Sequence, residues 1–417
     1  MRDYTDVLRR EIAPALGCTE PIAVALAVAR AVEALGCMPE RIELSVSRNI
    51  LKNAMNVGIP GTGMKGLEIA SALAAVAGRS TYGLEVLRDA GPEDVRRAEA
   101  LMRVVRVELA ATDKALYICA RVAAGPDSAE CVIEDAHTNI TRVARNAVEQ
   151  AFEPVRAECG GAPVSPSAPE LSIEGIYEYA TAAPVDELAF LRRGMDMNLR
   201  VAREGASGDY GMGVGRRLGA KESSDYAGYA FALTAAAADA RMGGCTLPVM
   251  STAGSGNQGL AATLPCMAVA ERLGLGEEQL LRAEAISQLV TVHIKAHIGK
   301  LSALCGCAIA ASVGSACGIT YLLGGGLAEI CCAVQNMIAD IAGLICDGAK
   351  AGCALKIATG ISAALQCAHL ALTGGRAGGR DGIVMADVER SIANLGELGA
   401  RGMLAADSVI LEMMLCK

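Results

Sequence analysis

Apolar and polar positions follow two different rhythms along this chain. Over residues 3–36 apolar side chains recur at helical spacing, and Pro21, after Glu20, suits a first helical turn, so two helices are expected. From about residue 41 to 145 the rhythm shortens to runs of β type, RIELSVS, VVRVELA, ALYICARV and ECVIEDA. Helical spacing near 66–78 and 94–103 interleaves them. Residues 158–170, ECGGAPVSPSAPE, have the Gly, Pro and Ser content of a linker. Beyond it the spacing is helical to the end, broken by glycine runs at 324–326 and 374–379. The expected class is α+β, a large all-helical domain with a smaller α+β domain. Residues 1–36 are assigned to N-terminal helices packing on the helical core, 37–165 to the small domain and 166–417 to the helical one.

Composition narrows the function classes. At 417 residues the chain exceeds one ordinary domain. Its apolar residues make up 52%, yet Trp is absent, Phe numbers 3 and Gly numbers 47, so closely packed helices with small side chains are expected. A net charge of −8 argues against a phosphate-backbone partner, and nucleic acid is not expected. Two uncharged stretches, Met242–Ala270 and Leu301–Ala328, are long enough for a membrane span. Both are interrupted by Gly, Ser, Thr, Asn or Pro, so they read as buried helices and loops with no membrane partner.

Sixteen cysteines, with no apolar export segment in MRDYTDVLRREIAPALG, point to a reducing cytoplasm. Eight of them fall between residues 305 and 367, so their distribution matters more than their number. In CDGAKAGC, residues 346–353, a continuous helix would hold the two thiols about 10.5 Å apart along its axis. Gly348 and Gly352 favour a break that brings them to one centre. A zinc site lacks its paired CxxC motifs here, and a thioredoxin-type site lacks even one. Spacing alone leaves open an iron–sulfur site or simple packing of small buried thiols.

Five blocks carry a family resemblance: GCTEP at 17–21, NILKNAMNVGIPGTG at 49–63, STAGSGNQG at 251–259, HIGKLSALCGCAIAASVGSACG at 297–318 and NMIADIAGLICDGAKAGCALK at 336–356. In this order they resemble the L-cysteine desulfidase family, related to iron–sulfur L-serine dehydratase alpha chains. The resemblance implies conversion of L-cysteine to pyruvate, ammonia and sulfide by a [4Fe–4S] enzyme without pyridoxal phosphate. It implies three cluster ligands, Cys307, Cys346 and Cys353, with Cys305 as the alternative to Cys307. One iron is then left open for substrate. The resemblance also makes Cys18 the general base or its immediate partner, and a thiol just before a helix N-terminus is expected to have a lowered pKa.

Lys52, Asn53, Ser255, Asn257 and Gln258 are candidates to hold the substrate's carboxylate and amine, because they offer polar groups within glycine-containing segments. Turn chemistry explains Asn257 and Gln258 equally well, and Lys52 is by default a surface charge. His297, just before the CGC element, is either catalytic or a structural hydrogen-bonding group. Cys416, one residue from the terminus, matches a C-terminal cysteine of related serine dehydratases by position alone. Three functions stand: the desulfidase, a dehydratase of serine or another β-substituted amino acid, and a non-catalytic iron–sulfur sensor. The polar blocks favour an enzyme, since a sensor needs no amino-acid pocket. The expected partner is a small-molecule substrate, with a homodimer left open.

Overall fold

A computed structural model describes residues 4–152, 170–219, 225–299 and 302–416. The linker expected at 158–170 lies, apart from Glu170, outside the described residues. The N-terminal part comprises α1 (Thr5–Glu11), β1 (Ile12–Ala15), α2 (Thr19–Leu35), β2 (Arg41–Val46), α3 (Arg48–Ala54), α4 (Leu67–Ala77) and α5 (Pro92–Leu101), then β3 (Val105–Leu109), β4 (Tyr117–Ala124), β5 (Asp127–Glu134), β6 (Ile140–Arg145) and β7 (Val148–Glu149). Then come α6 (Ile173–Ala182), α7 (Val185–Leu188), α8 (Leu191–Ser207), α9 (Val214–Arg217), α10 (Tyr226–Met242), β8 (Val249–Thr252), α11 (Gly256–Leu273) and α12 (Glu277–Ile298). The chain closes with α13 (Ala310–Leu322), α14 (Leu327–Ile341), α15 (Cys353–Leu372), α16 (Val388–Glu397) and α17 (Leu404–Leu415). The class is α+β, as the two rhythms imply.

Six strands form one mixed sheet in the order β3-β2-β4-β5-β6-β7, with only the β2/β3 pair parallel. Along β2 the residues alternate, and Ile42, Leu44 and Val46 are buried. They share a core with α2, whose Ile22, Val24, Leu26 and Val28 and intervening alanines are nearly all buried. A helix apolar on every side belongs inside. The N-terminal segment therefore divides: α2 packs on the sheet, while α1 and β1 join the helical part. There β1 pairs antiparallel with β8, from Ile12 opposite Thr252 to Ala15 opposite Val249. Asn198 on α8 fixes β8 from its other side, donating to the Met250 carbonyl at 3.3 Å and accepting from its N–H at 2.8 Å.

The helical part gains its density from small residues. At Gly205 of α8 a Cβ would lie 1.9 Å from the Ala236 carbonyl oxygen of α10, so only glycine permits this helix spacing. The uncharged stretch from Met242 is not one helix but a loop, β8 and α11, and the stretch from Leu301 holds the CGC turn and α13. Among the described residues one helix, α15, is long and apolar enough to cross a bilayer, and it packs against α10, α13 and α14.

Candidate functional site

Where the sheet part meets the helical part, the chain encloses a cavity of about 450 Å³. Each of the polar or cysteine-containing blocks reaches its wall. The turn before α2 brings Cys18 and Glu20, α3 brings Asn53, and the start of α11 brings Ser255, Asn257 and Gln258. Lys295 comes from α12, and the two cysteine loops bring Cys305, Cys307, Cys346 and Cys353.

Backbone pairing explains how the cysteine loops meet. Leu304 and Ile345 form an antiparallel bridge, flanked by Cys305 N–H to the Leu344 carbonyl at 2.9 Å and Cys346 N–H to the Ala303 carbonyl at 2.6 Å. The chain between Cys346 and Cys353 is a loop, and α15 begins at Cys353. Gly348 lies in the left-handed region, φ +86°, and its missing Cβ would stand 2.2 Å from the Lys52 carbonyl oxygen. Asp347 pins the loop through ion pairs to Lys350 and Lys356, which hold its carboxyl down at about 2 against the cost of burial.

Cys305 and Cys307 lie with their sulfurs 3.5 Å apart. The Cys307 thiol's hydrogen bond pulls Cys305 down to about 6, with help from the Ala308 N–H and from Lys356 and Lys295. The same contact, with burial, pushes Cys307 up. Among the described residues no three side chains stand close enough for a single metal ion. Four cysteine sulfurs on one wall suit a larger group, and sulfur is the donor that iron–sulfur clusters take. Cys305, Cys307, Cys346 and Cys353 would be the residues to hold it.

Cys18 behaves differently from the sequence expectation. It does stand immediately before α2, but its thiol donates to the Glu20 carboxylate at 3.1 Å. Burial and that negative charge push the thiol well above its ordinary value, and Arg241 opposes them only in part. The helix terminus does not prevail. Burial also acts to raise Glu20, yet the charge of His137 and hydrogen bonds from Cys18 and Thr19 hold it below the usual carboxyl range. Asn53 donates to the other carboxylate oxygen at 3.0 Å. The pair is thus a thiol poised on an ionised, desolvated carboxylate.

Arg241 ties two blocks together by donating to the Gly17 carbonyl at 2.7 Å and to Asn257 Oδ1 at 3.1 Å. Gln258 directs its amide nitrogen at the Thr252 carbonyl, 3.2 Å away, which leaves Oε1 buried with no partner among the described residues. Ser255 sits at the start of α11, half-buried on the wall.

Two candidates point elsewhere. Lys52 is 1% exposed and pairs with Asp407 of α17, so it anchors the C-terminal helix and leaves the cavity wall to its neighbour Asn53. His297 stacks edge-on against His293 and approaches the His293 carbonyl at 3.0 Å. It lines a neighbouring cleft together with His293 and Lys295, and of these three only Lys295 also reaches the cavity wall. Cys416 is exposed beyond α17. Asp407→Ala is expected to lower unfolding stability by about 2–4 kcal/mol, the lower end because Asp407 is partly solvated, by stranding a buried ammonium. Urea denaturation measures it, and a loss under 0.5 kcal/mol would show that the pair is not structural.

Comparison with known proteins adds the lineage. The profile of the serine dehydratase alpha chain matches residues 81–412, most of the chain. A UPF0597 protein of Bacteroides fragilis is 44% identical over 416 residues, covering 98% of this chain and 96% of its own. A UPF0597 protein of Oleidesulfovibrio alaskensis is 44% identical over 421 residues, covering 99% and 98%. One of Caldanaerobacter subterraneus is 43% identical over 415 residues, with the same coverage as the latter.

Proposed function

Since the chain belongs to the serine dehydratase alpha chain family, which uses iron–sulfur clusters, we propose that it is an L-cysteine desulfidase. It eliminates sulfide from L-cysteine to leave pyruvate and ammonia. The observation that supports this reading is the convergence of Cys305, Cys346 and Cys353 with the Cys18–Glu20 pair on one cavity. In this reading Cys346, Cys353 and one sulfur of the Cys305–Cys307 pair would hold a [4Fe–4S] cluster. When bound, the cluster supplies a Lewis-acidic iron suited to a substrate sulfur.

The protein's own groups handle the protons. Cys18 Sγ accepts the Cα proton while its own proton passes to Glu20, 3.1 Å away. This concerted transfer avoids a free thiolate, which burial disfavours. The electron pair left at Cα forms the Cα–Cβ double bond as the Cβ–S bond breaks. Glu20 then returns its proton to the departing sulfide. The released aminoacrylate tautomerises and adds water, giving pyruvate and ammonia. Asn53 keeps the Glu20 carboxylate aimed throughout.

The family match supports a second reading, dehydration of L-serine by the same residues. One anaerobic assay separates the two: the purified chain with reconstituted cluster is given L-cysteine or L-serine, and sulfide and pyruvate are measured. Sulfide from cysteine at a kcat/KM at least tenfold above that for pyruvate from serine is the expected result. The reverse order makes it a dehydratase, and no product from either substrate rejects both.

A further inference from the structure

Among the described residues the cavity wall carries five cationic side chains, Arg10, His137, Arg241, Lys295 and Lys356, and all but one are engaged. Arg10 pairs with Glu11, His137 is held by its neighbours, Arg241 donates to Gly17 and Asn257, and Lys356 is clasped by Asp347 and the Ile345 carbonyl. Lys295 is 7% exposed and has neither a hydrogen bond nor an ion pair among the described residues, its titratable neighbours being the cysteine thiols and Glu20. An ammonium taken out of water with no hydrogen-bonded partner costs several kcal/mol. Such a group persists where a ligand completes it.

A second orphan lies beside it. Gln258 is 1% exposed, and its Oε1 is the amide oxygen left over once the nitrogen has bonded to backbone. Both atoms converge on one spot: a Cβ built on Gly306 would stand 2.7 Å from Gln258 Oε1 and 3.1 Å from Lys295 Nζ. Even a methyl at 306 would collide with the Gln258 oxygen, so glycine lets the backbone of the CGC turn come close against both atoms. A buried cation and a buried neutral acceptor, side by side on the cavity wall, match the carboxylate and the ammonium of one small zwitterion.

We infer that Lys295 holds the α-carboxylate of the substrate and Gln258 Oε1 accepts from its α-ammonium, with the backbone of Gly306 closing against both side chains. The inference rests on reading the cavity as an amino-acid lyase site, and it names the substrate class as α-amino acids. It also gives Lys295 a part in the chemistry. Removing the Cα proton shifts negative charge onto the carboxylate, and an ammonium already in place stabilises that charge. Lys295 is therefore a specificity-determining residue that also favours proton removal.

The test uses binding, so that it does not depend on turnover. Calorimetry on the full chain, prepared anaerobically, follows L-alanine, which cannot eliminate, and propionate, which lacks the ammonium. Wild-type protein is expected to bind both, L-alanine more tightly. Lys295→Met should weaken both at least tenfold, and Gln258→Leu should weaken L-alanine while sparing propionate. Gly306→Ala should weaken both with the lysine still present, and it becomes the deciding variant if circular dichroism shows that Lys295→Met does not fold. Unchanged propionate binding in the folded variant overturns the inference, as does a Lys295→Met protein that loses only its visible absorption, which would make the lysine a counter-ion to the thiolates. Lysine-dependent L-alanine binding without sulfide from cysteine would leave the clamp standing and reject the desulfidase.

Discussion

Cys346→Ala and Cys353→Ala should each abolish the visible charge-transfer absorption of the reconstituted protein and its sulfide release together, below a hundredth of wild type. These thiols line the cavity from opposite ends of one short loop, and two sulfurs cannot replace three as anchors for a cubane. Within the CGC turn the two residues should part. Cys305 is the expected third ligand, since its backbone is paired to the strand that carries Cys346. Cys305→Ala should then behave like Cys346→Ala, while Cys307→Ala retains at least half of the iron. Full cluster content in Cys346→Ala would refute the assignment, and the opposite ranking within the CGC turn would return the role to Cys307.

Glu20→Gln and Cys18→Ser should each lower kcat about 10²–10³-fold while leaving the visible spectrum intact. Glutamine keeps the hydrogen bond to Asn53 but cannot accept the thiol proton, and serine is too weak an acid to relay one. Solvent exchange of the Cα proton of L-cysteine, followed by NMR in deuterated buffer, should be lost in both variants. Normal exchange in Glu20→Gln would show that Cys18 acts without it. Loss of the spectrum in Cys18→Ser would instead make that sulfur a ligand.

Much of this site could be read in the chain. The cysteines of CDGAKAGC declared themselves because two glycines between thiols make a helix costly, and the loop is there. The helical rhythm of 21–35 and the β runs located α2 and four strands of the sheet. The rhythm did not reveal β1 and β8, four residues each, whose pairing partners are hundreds of positions apart. By sequence Glu20 reads only as a helix start, since an acidic first turn is ordinary; its contact with Cys18 depends on the turn between them. Sequence spacing singles out His297 and gives no sign of Lys295, because only the packing of α12 decides which of its residues reach the cavity. Lys52 and Asn53 pose the same problem one position apart: α17 claims the lysine, so only the asparagine remains for the cavity.

The pairing of β1 with β8 sets an order of events in the life of each chain. Ser251 reaches back across 238 positions to the carbonyl of Ala13. At ~5–20 residues per second, the first strand leaves the ribosome on the order of ten to fifty seconds before its partner exists. Cys18 and Glu20 ride on that strand's far end and wait with it. The CGC turn and the start of α15 come later still, so nascent protein has no assembled pocket and its thiols meet the surroundings one by one. Whatever the finished wall encloses is acquired by a nearly complete chain, which makes the interval between translation and strand docking the period of greatest vulnerability to oxidants.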